Sequence, residues 1–365
     1  MRKVLKNEGV QAFLASLICI LIGILIGYIV LLFINPAGAG DSTLNVIKNF
    51  LYKKPARQMK ELGNTMAKTM PLILCSLSIL FSYKVGLFNI GAAGQYVAGA
   101  CASLYAALAW GWGWLPCMLF AIIAGAVLGG ITGLLKAYCN VNEVISGIML
   151  NWIALYTTNT ILTTVKESTS PYTLYLDKVN KSALLPTVGM HSLFGNNENV
   201  TIAVPLTIIA AILVWIILSK TWLGYELKAT GNNRNAAKYV GMAQNRNIIL
   251  TLAISGALAG LAASLLYQTG YMRWECTQSS VPSMGFNGIA AAFLGGLHPI
   301  GAIFSSFFIQ HITDGGQYVN TNFYSPQISD VISSVIIYLC GFVLFIKLTM
   351  KKWIARSEEK KGAKQ

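Results

Sequence analysis

The chain alternates between long apolar runs and short polar ones. No Asp, Glu, Lys or Arg occurs from Gly9 to Gly40 or from Val85 to Leu135. Further charge-free runs cover Val144–Val165, Asn199–Ser219, Asn247–Met272, Cys276–Thr313 and Val331–Ile346. Within them the apolar positions are continuous rather than alternating, which reads as helix and not as barrel strand. A helix needs roughly 20 apolar residues to cross a hydrocarbon core, where its backbone groups must be satisfied internally. Spans are therefore expected near 11–34, 66–83, 90–109, 114–137, 144–163, 200–219, 247–268, 284–297, 300–315 and 328–348. The eighth and ninth are short, and a single re-entrant pair meeting at Gly295-Gly296-Leu297-His298-Pro299 is the alternative.

The expected fold class is all-α, a polytopic membrane protein of about ten transmembrane helices forming one domain over residues 1–365. Residues 1–10 form its N-terminus, 164–199 an outer loop, 220–246 a cytoplasmic loop and 349–365 a basic tail. Neither loop is long enough to bury a core of its own.

Composition agrees: 55% of residues are hydrophobic and 11% charged, against about 25% charged in a soluble domain. The net charge of +14 would suit nucleic acid, but its placement argues for no nucleic acid and for a membrane. Arg2, Lys3 and Lys6 precede the first span; Lys347, Lys351, Lys352, Arg356, Lys360, Lys361 and Lys364 follow the last; Lys228, Arg234 and Lys238 lie in the 220–246 loop. An even number of spans puts all three groups on one side, which the positive-inside rule makes the cytoplasm. Lys48, Lys53, Lys54, Arg57 and Lys60 disagree, because this topology places them outside. Leu44, Ile47, Phe50 and Leu51 recur there at helical spacing, as in a short interfacial helix. The seven Cys show no ligand spacing and read as small buried residues, without disulfide or metal. The first span is too long, and lacks the small-residue cleavage site, for a removed signal peptide.

Two segments resemble each other. Val85-Gly86-Leu87-Phe88-Asn89-Ile90-Gly91-Ala92-Ala93 opens the third span and Met284-Gly285-Phe286-Asn287-Gly288-Ile289-Ala290-Ala291 the eighth. An offset of five spans would invert the second copy, as in transporters built from inverted repeats; chance similarity of Gly/Ala-rich helices is the alternative. Gly91, Gly94, Gly99, Gly125, Gly129, Gly130, Gly133, Gly256, Gly260, Gly295, Gly296 and Gly301 lie within spans. Such small residues let helices pack closely in lipid.

Polar residues in spans line a path or pair across helices. Asn89, Gln95, Asn151, Asn159, Asn287 and Gln310 are the main ones, and amides both donate to and accept from an uncharged polar solute. Phe88 and Phe286 offer aromatic faces to a base. The substrate-path candidates are Phe88, Asn89, Gln95, Asn151, Phe286 and Asn287, with interhelical bonding or packing as the alternative for each. Lys84, Lys136 and Glu143 sit at span ends, where snorkelling or capping is the default. His298 lies at a Pro turn, and His311 is the ionisable group a proton relay would have to use. No catalytic triad, metal cluster or paired carboxylates occupies the spans, so no catalytic residue is expected.

In the 220–246 loop, Gly231-Asn232-Asn233 is a turn signal, Asn235 to Val240 a short helix, and Gly241 its stop. That helix has a small face (Ala236, Ala237) and exposed cations (Arg234, Lys238), which suits docking into a partner's groove; a solvated connector is the alternative. There is no Gly-x-x-x-x-Gly-Lys-Ser/Thr loop to cradle phosphates, so the energy comes from another chain or an ion gradient.

The pattern Gly231, Asn233, Ala236, Ala237, Tyr239, Gly241 resembles the coupling helix of binding-protein-dependent ABC permeases for branched-chain amino acids, ribose and nucleosides. Val85 to Gln95 is similar to the signature of the nucleoside-type branch, and Gly285 to Ala290 with Leu294 to Gly301 to its second signature. Ala93 departs from the pattern, where an acidic residue is common. The resemblance covers roughly residues 65 to 345. It implies a type II importer-like permease of about ten helices in the bacterial plasma membrane, with both termini cytoplasmic. It implies pairing with a second homologous permease in a heterodimer, ABC ATPase subunits below and an extracytoplasmic substrate-binding lipoprotein above. The chain itself then binds no cofactor; ATP and Mg belong to the ATPase, which couples through Gly231, Asn233, Arg234, Asn235, Ala236, Ala237, Lys238, Tyr239 and Gly241. The implied cargo is a nucleoside. A permease for a simple sugar or riboflavin is the near alternative, and an ion-coupled secondary transporter the alternative from another class.

Overall fold

The computed structural model describes residues 8–52, 54–320 and parts of 322–352. In chain order its helices are α1 (Glu8–Ile34), α2 (Ala39–Lys48), α3 (Pro55–Lys84), α4 (Ala92–Leu108), α5 (Trp114–Cys139), α6 (Glu143–Leu162), the four-residue α7 (Leu176–Val179) and α8 (Met190–Leu193), α9 (Ala203–Lys220), α10 (Trp222–Asn232), α11 (Arg234–Tyr239), α12 (Gln244–Tyr267), α13 (Met284–Leu294) and α14 (Pro299–Gly315). Extended pairing among the described residues is confined to two isolated bridges, Lys166 with Thr173 and Tyr172 with Glu275. The fold is all-α.

Among the described residues, five helical stretches are long and apolar enough to cross a membrane: Leu14–Ile34, Arg57–Lys84, Trp114–Cys139, Ala203–Lys220 and Gln244–Tyr267. α4 and α6 fall on the expected third and fifth spans, at 17 and 20 residues. α13 has 11 residues, and at 1.5 Å per residue it reaches roughly 16 Å, about half a hydrocarbon core. It cannot cross alone. Gly296 (φ 64°) and Leu297 (φ 55°) turn the chain back, Gly301 lies against Gly295, and Ser305 Oγ donates to the Ala291 carbonyl at 2.5 Å. α13 and α14 thus form a helical hairpin. The expected tenth span is described in part, with helical turns at 331–332, 334–335, 338–339, 345–346 and 348–349. The cations Arg2, Lys3, Lys6, Lys53, Lys347, Arg356, Lys360, Lys361 and Lys364 lie outside the described residues.

The chain divides into two compact units, residues 54–289 and residues 1–53 with 290–365. In the first, α12 packs on α5, α4 and α3. Glycines four apart share a helix face, and here they let backbones touch. A Cβ on Gly125 would lie 2.2 Å from the Gly256 carbonyl oxygen, one on Gly256 2.1 Å from that of Gly125, and one on Gly260 2.2 Å from that of Ala121. Gly125, Gly129, Gly133, Gly256 and Gly260 therefore line the α5–α12 seam. The opposite faces of α5 and α6 expose Leu119, Ile123, Val127, Met149 and Ile153, as lipid contact requires. α3 runs past its expected span to Pro55 and takes Arg57 and Lys60 into its first turns.

In the second unit, α2 occupies the place expected for an interfacial helix, leaving Leu44 and Ile47 exposed, with Leu51 exposed in the turn that follows. It is tied to α14. The His311 ring shares a 2.8 Å hydrogen bond between Nε2 and the Ile47 carbonyl, and Asn49 Nδ2 donates to the His311 carbonyl at 2.8 Å. His311 therefore clasps two helices together. Of the Cys, Cys19, Cys75, Cys117 and Cys276 are buried free thiols, Cys101 is half-buried and Cys139 exposed.

Candidate functional site

The segment between α3 and α4 is built around a helix cap. The Leu87 N–H donates to the Ser82 carbonyl at 3.0 Å and the Gly86 N–H to Tyr83 at 3.0 Å. These are the two bonds of a Schellman motif, whose left-handed residue is Gly86 at φ 77°. Leu87 then packs on Ile248 and Leu252 of α12. Asn89 Nδ2 donates to Gln95 Oε1 at 2.8 Å and Gln95 Nε2 returns a bond to Asn89 Oδ1 at 3.1 Å. Asn89 Nδ2 also reaches Ser78 Oγ at 3.3 Å. Asn151 Oδ1 accepts from the Gly94 N–H at 2.7 Å, one of the donors an α-helix leaves unpaired in its first turn. Its Nδ2 donates to the Ile90 carbonyl at 3.1 Å. Asn89, Gln95 and Asn151 are only 2%, 1% and 2% exposed. Their amides are engaged within the protein.

The two similar segments meet. A Cβ on Gly285 would lie 2.5 Å from Ala93 Cα, so the start of α13 rests on the start of α4. Gly288 in turn sits on Cys75 and Ser76 of α3. Ala93 is 1% exposed beneath Gly285. Phe286 is exposed, Asn287 and Phe88 partly so. The segments that carry the path candidates thus meet; Asn89, Gln95 and Asn151 are buried and bonded, whereas Phe88, Phe286 and Asn287 are more accessible. Asn159 and Gln310 have other partners. Asn159 Oδ1 accepts from Trp274 Nε1 at 3.0 Å and its Nδ2 donates to the Gln278 carbonyl at 2.9 Å, while Gln310 Nε2 donates to Asp314 Oδ1 at 3.1 Å.

The coupling candidates sit on α10, α11 and their junction. α10 itself was not expected. Asn233 caps α11, its Oδ1 accepting from the Ala236 N–H at 3.1 Å. A second Schellman motif ends it, with the Met242 N–H on the Ala237 carbonyl at 2.9 Å, the Gly241 N–H on Lys238 at 3.1 Å, and Gly241 at φ 82°. The expected small face splits, because Ala237 is buried and Ala236 exposed. Arg234 is partly exposed; Asn235, Lys238 and Tyr239 are exposed, Tyr239 at 92%. Val240, 71% exposed beside it, extends this outward apolar point; its place just before the Gly241 stop is the signal that could have found it. Gly231 abuts the Val85–Gly86 peptide. Across the α5–α6 turn, Lys136 Nζ lies 2.8 Å from Glu143 Oε2. Burial alone would raise the Glu143 carboxyl, but the Lys136 hydrogen bond and the charges of Lys136 and Arg234 hold it below its usual range.

At the opposite end of the same unit, the 165–176 and 268–283 loops lock together. Arg273 pairs with Glu167 at 2.9 Å and lies over the Tyr175 ring at 3.8 Å. The Ser170 hydroxyl and then Arg273 hold the Glu167 carboxyl below its usual range. An apolar cavity of about 530 Å³ opens between α4, α5 and α6, walled by Tyr105, Trp110, Phe120 and Leu128. Its walls offer a polar solute little hydrogen bonding. No group of three or more His, Cys, Asp or Glu is placed to hold a metal among the described residues.

Residues 62–341 match the family described as branched-chain amino acid transport system / permease component. The chain is 33% identical to the nucleoside ABC transporter permease protein NupB of Lactococcus lactis subsp. cremoris, over 98% of this chain and 100% of that protein. It is 31% identical to the guanosine ABC transporter permease protein NupP of Bacillus subtilis, over 96% of this chain and 97% of that one. A second permease of that organism, the guanosine ABC transporter permease protein NupQ, is 29% identical over 67% of this chain and 77% of its own length.

Proposed function

The chain belongs to the branched-chain amino acid transport system permease family, a family of non-enzymatic ABC transporter membrane subunits, and from that premise we propose that it is the permease of an ATP-driven nucleoside importer. The observation that carries the cargo is the match along nearly the whole chain to a permease named for nucleosides. Two permeases named for guanosine in one organism, NupP and NupQ, support pairing of this chain with a second, homologous permease. A substrate-binding lipoprotein delivers the cargo outside, ABC ATPase subunits bind ATP and Mg inside, and both termini of this chain face the cytoplasm.

The geometry supports a division of labour among the proposed residues. Phe88, Phe286 and Asn287 offer side-chain surface to the path, an aromatic face for a base and an amide that donates and accepts. Asn89, Gln95 and Asn151 hold the backbone that carries them. α11 docks into the ATPase, with Asn235, Ala236, Lys238, Tyr239 and Val240 as its outward surface and Asn233, Arg234, Ala237 and Gly241 shaping it; Gly231, on α10, lies against the Val85–Gly86 peptide rather than in the docking surface. The test is copurification of the ATPase with Ala236→Glu and Val240→Asp variants. Both positions are exposed, so the chain should insert normally and lose the ATPase; undiminished copurification overturns the docking assignment.

A further inference from the structure

The contact at Gly231 joins two segments 146 positions apart in sequence, and it is made by backbone. A Cβ on Gly231 would lie 1.9 Å from the Val85 carbonyl oxygen, and one on Gly86 2.9 Å from the Gly231 carbonyl oxygen. Gly86 has a second reason to lack a side chain, its left-handed backbone as the α3 cap; Gly231, in the last turn of α10, has only the contact. Both partners are also held to α12. Thr230 Oγ1 accepts from Asn247 Nδ2 at 2.8 Å, and Leu87 packs on Ile248 and Leu252.

From Gly86 the connections continue without a gap. Three residues on, Asn89 grips Gln95 through two amide bonds. Gln95 lies in the first turn of α4 with Ala93, on which Gly285 rests, one residue before Phe286. A close-packed backbone contact has no side-chain slack, so a displacement on one side must be followed or the contact must part.

We propose that Gly86 and Gly231 are positioning residues for transport, passing movement of α10–α11 to the start of α4 and from there to α13. This rests on the reading of α11 as the ATPase dock. An energetic link needs coupling data rather than proximity, and a paired substitution supplies them.

The assembled transporter, reconstituted with its ATPase, is assayed for ATPase copurification, ATP hydrolysis and transport per ATP. Gly231→Ala forces the contact apart; it should retain the ATPase and hydrolysis while transport per ATP falls about two- to thirty-fold. Gly86→Ala should fall less, and the double variant no further than Gly231→Ala alone, since both break one contact. Gly86→Asn tolerates the left-handed cap yet carries a Cβ, so it should match Gly86→Ala. Wild-type transport per ATP in Gly231→Ala, multiplying losses in the double variant, or full transport in Gly86→Asn overturns the proposal. If Gly231→Ala does not assemble, Gly86→Ala decides in the same way: wild-type transport per ATP overturns the proposal, and a loss with the ATPase retained supports it. Copurification reads the docking assignment and transport per ATP reads this link, so the two fail separately.

Discussion

Breaking the Asn89–Gln95 pair distinguishes a structural frame from a cargo contact. The two amides exchange bonds of 2.8 and 3.1 Å at 2% and 1% exposure. Truncating either one leaves the other buried and short of its partner; truncating both removes the orphan along with the bond. Side-chain hydrogen bonds inside membrane proteins average about 0.6 kcal/mol and reach about 1.7, so two bonds give a coupling energy of about 1–3 kcal/mol. Asn89→Ala, Gln95→Ala and the double variant are unfolded reversibly in bicelles, and the double should cost less than the two singles summed by that amount. The KM for cargo should stay near wild type in any single variant that remains folded. Additivity within about 0.5 kcal/mol, or a changed KM without lost stability, refutes the frame.

Gly256→Ala places a methyl 2.1 Å from the Gly125 carbonyl oxygen, so the α5–α12 seam must open; a cost of about 1–3 kcal/mol is expected from overpacking, read in the same unfolding assay. Glu143 predicts a pH dependence. Its carboxyl titrates lower folded than unfolded, so its stabilising effect is full above the unfolded value of about 4.3 and is lost as pH falls through the folded value. Wild type should therefore exceed Glu143→Gln by a constant margin near neutral pH, and the margin should shrink in acid; a margin that does not change with pH contradicts the ion pair's role.

The helices were legible because their signal is one-dimensional. Charge-free runs located α1, α5, α9 and α12, and Asn233 and Gly241 located α11 by cap chemistry alone. α10 was missed because Trp222–Asn232 carries Glu226 and Lys228 and is too short for a span, so it lacks the apolar run that marked the others. The hairpin of α13 and α14 was legible only as an alternative, since hydropathy does not say where a turn sits inside an apolar stretch. At the site, residue types pointed to the right neighbourhood, but an amide in a span reads the same whether it faces a solute or another amide. Asn89 and Gln95 are six residues apart across a loop, where no helical periodicity relates them. The Gly231–Val85 contact has no local signal at all; glycines at turns are common, and only folding shows which one admits another backbone.

ATP-driven nucleoside import through this permease can be measured directly. Uptake of radiolabelled guanosine and uridine is measured in proteoliposomes holding this chain, the second permease and the ATPase, with the binding protein on one side and ATP on the other. Uptake of at least one nucleoside should require ATP and stop when the ATPase is omitted. Nucleoside uptake by this chain alone, driven by a proton or sodium gradient without ATP, would contradict it.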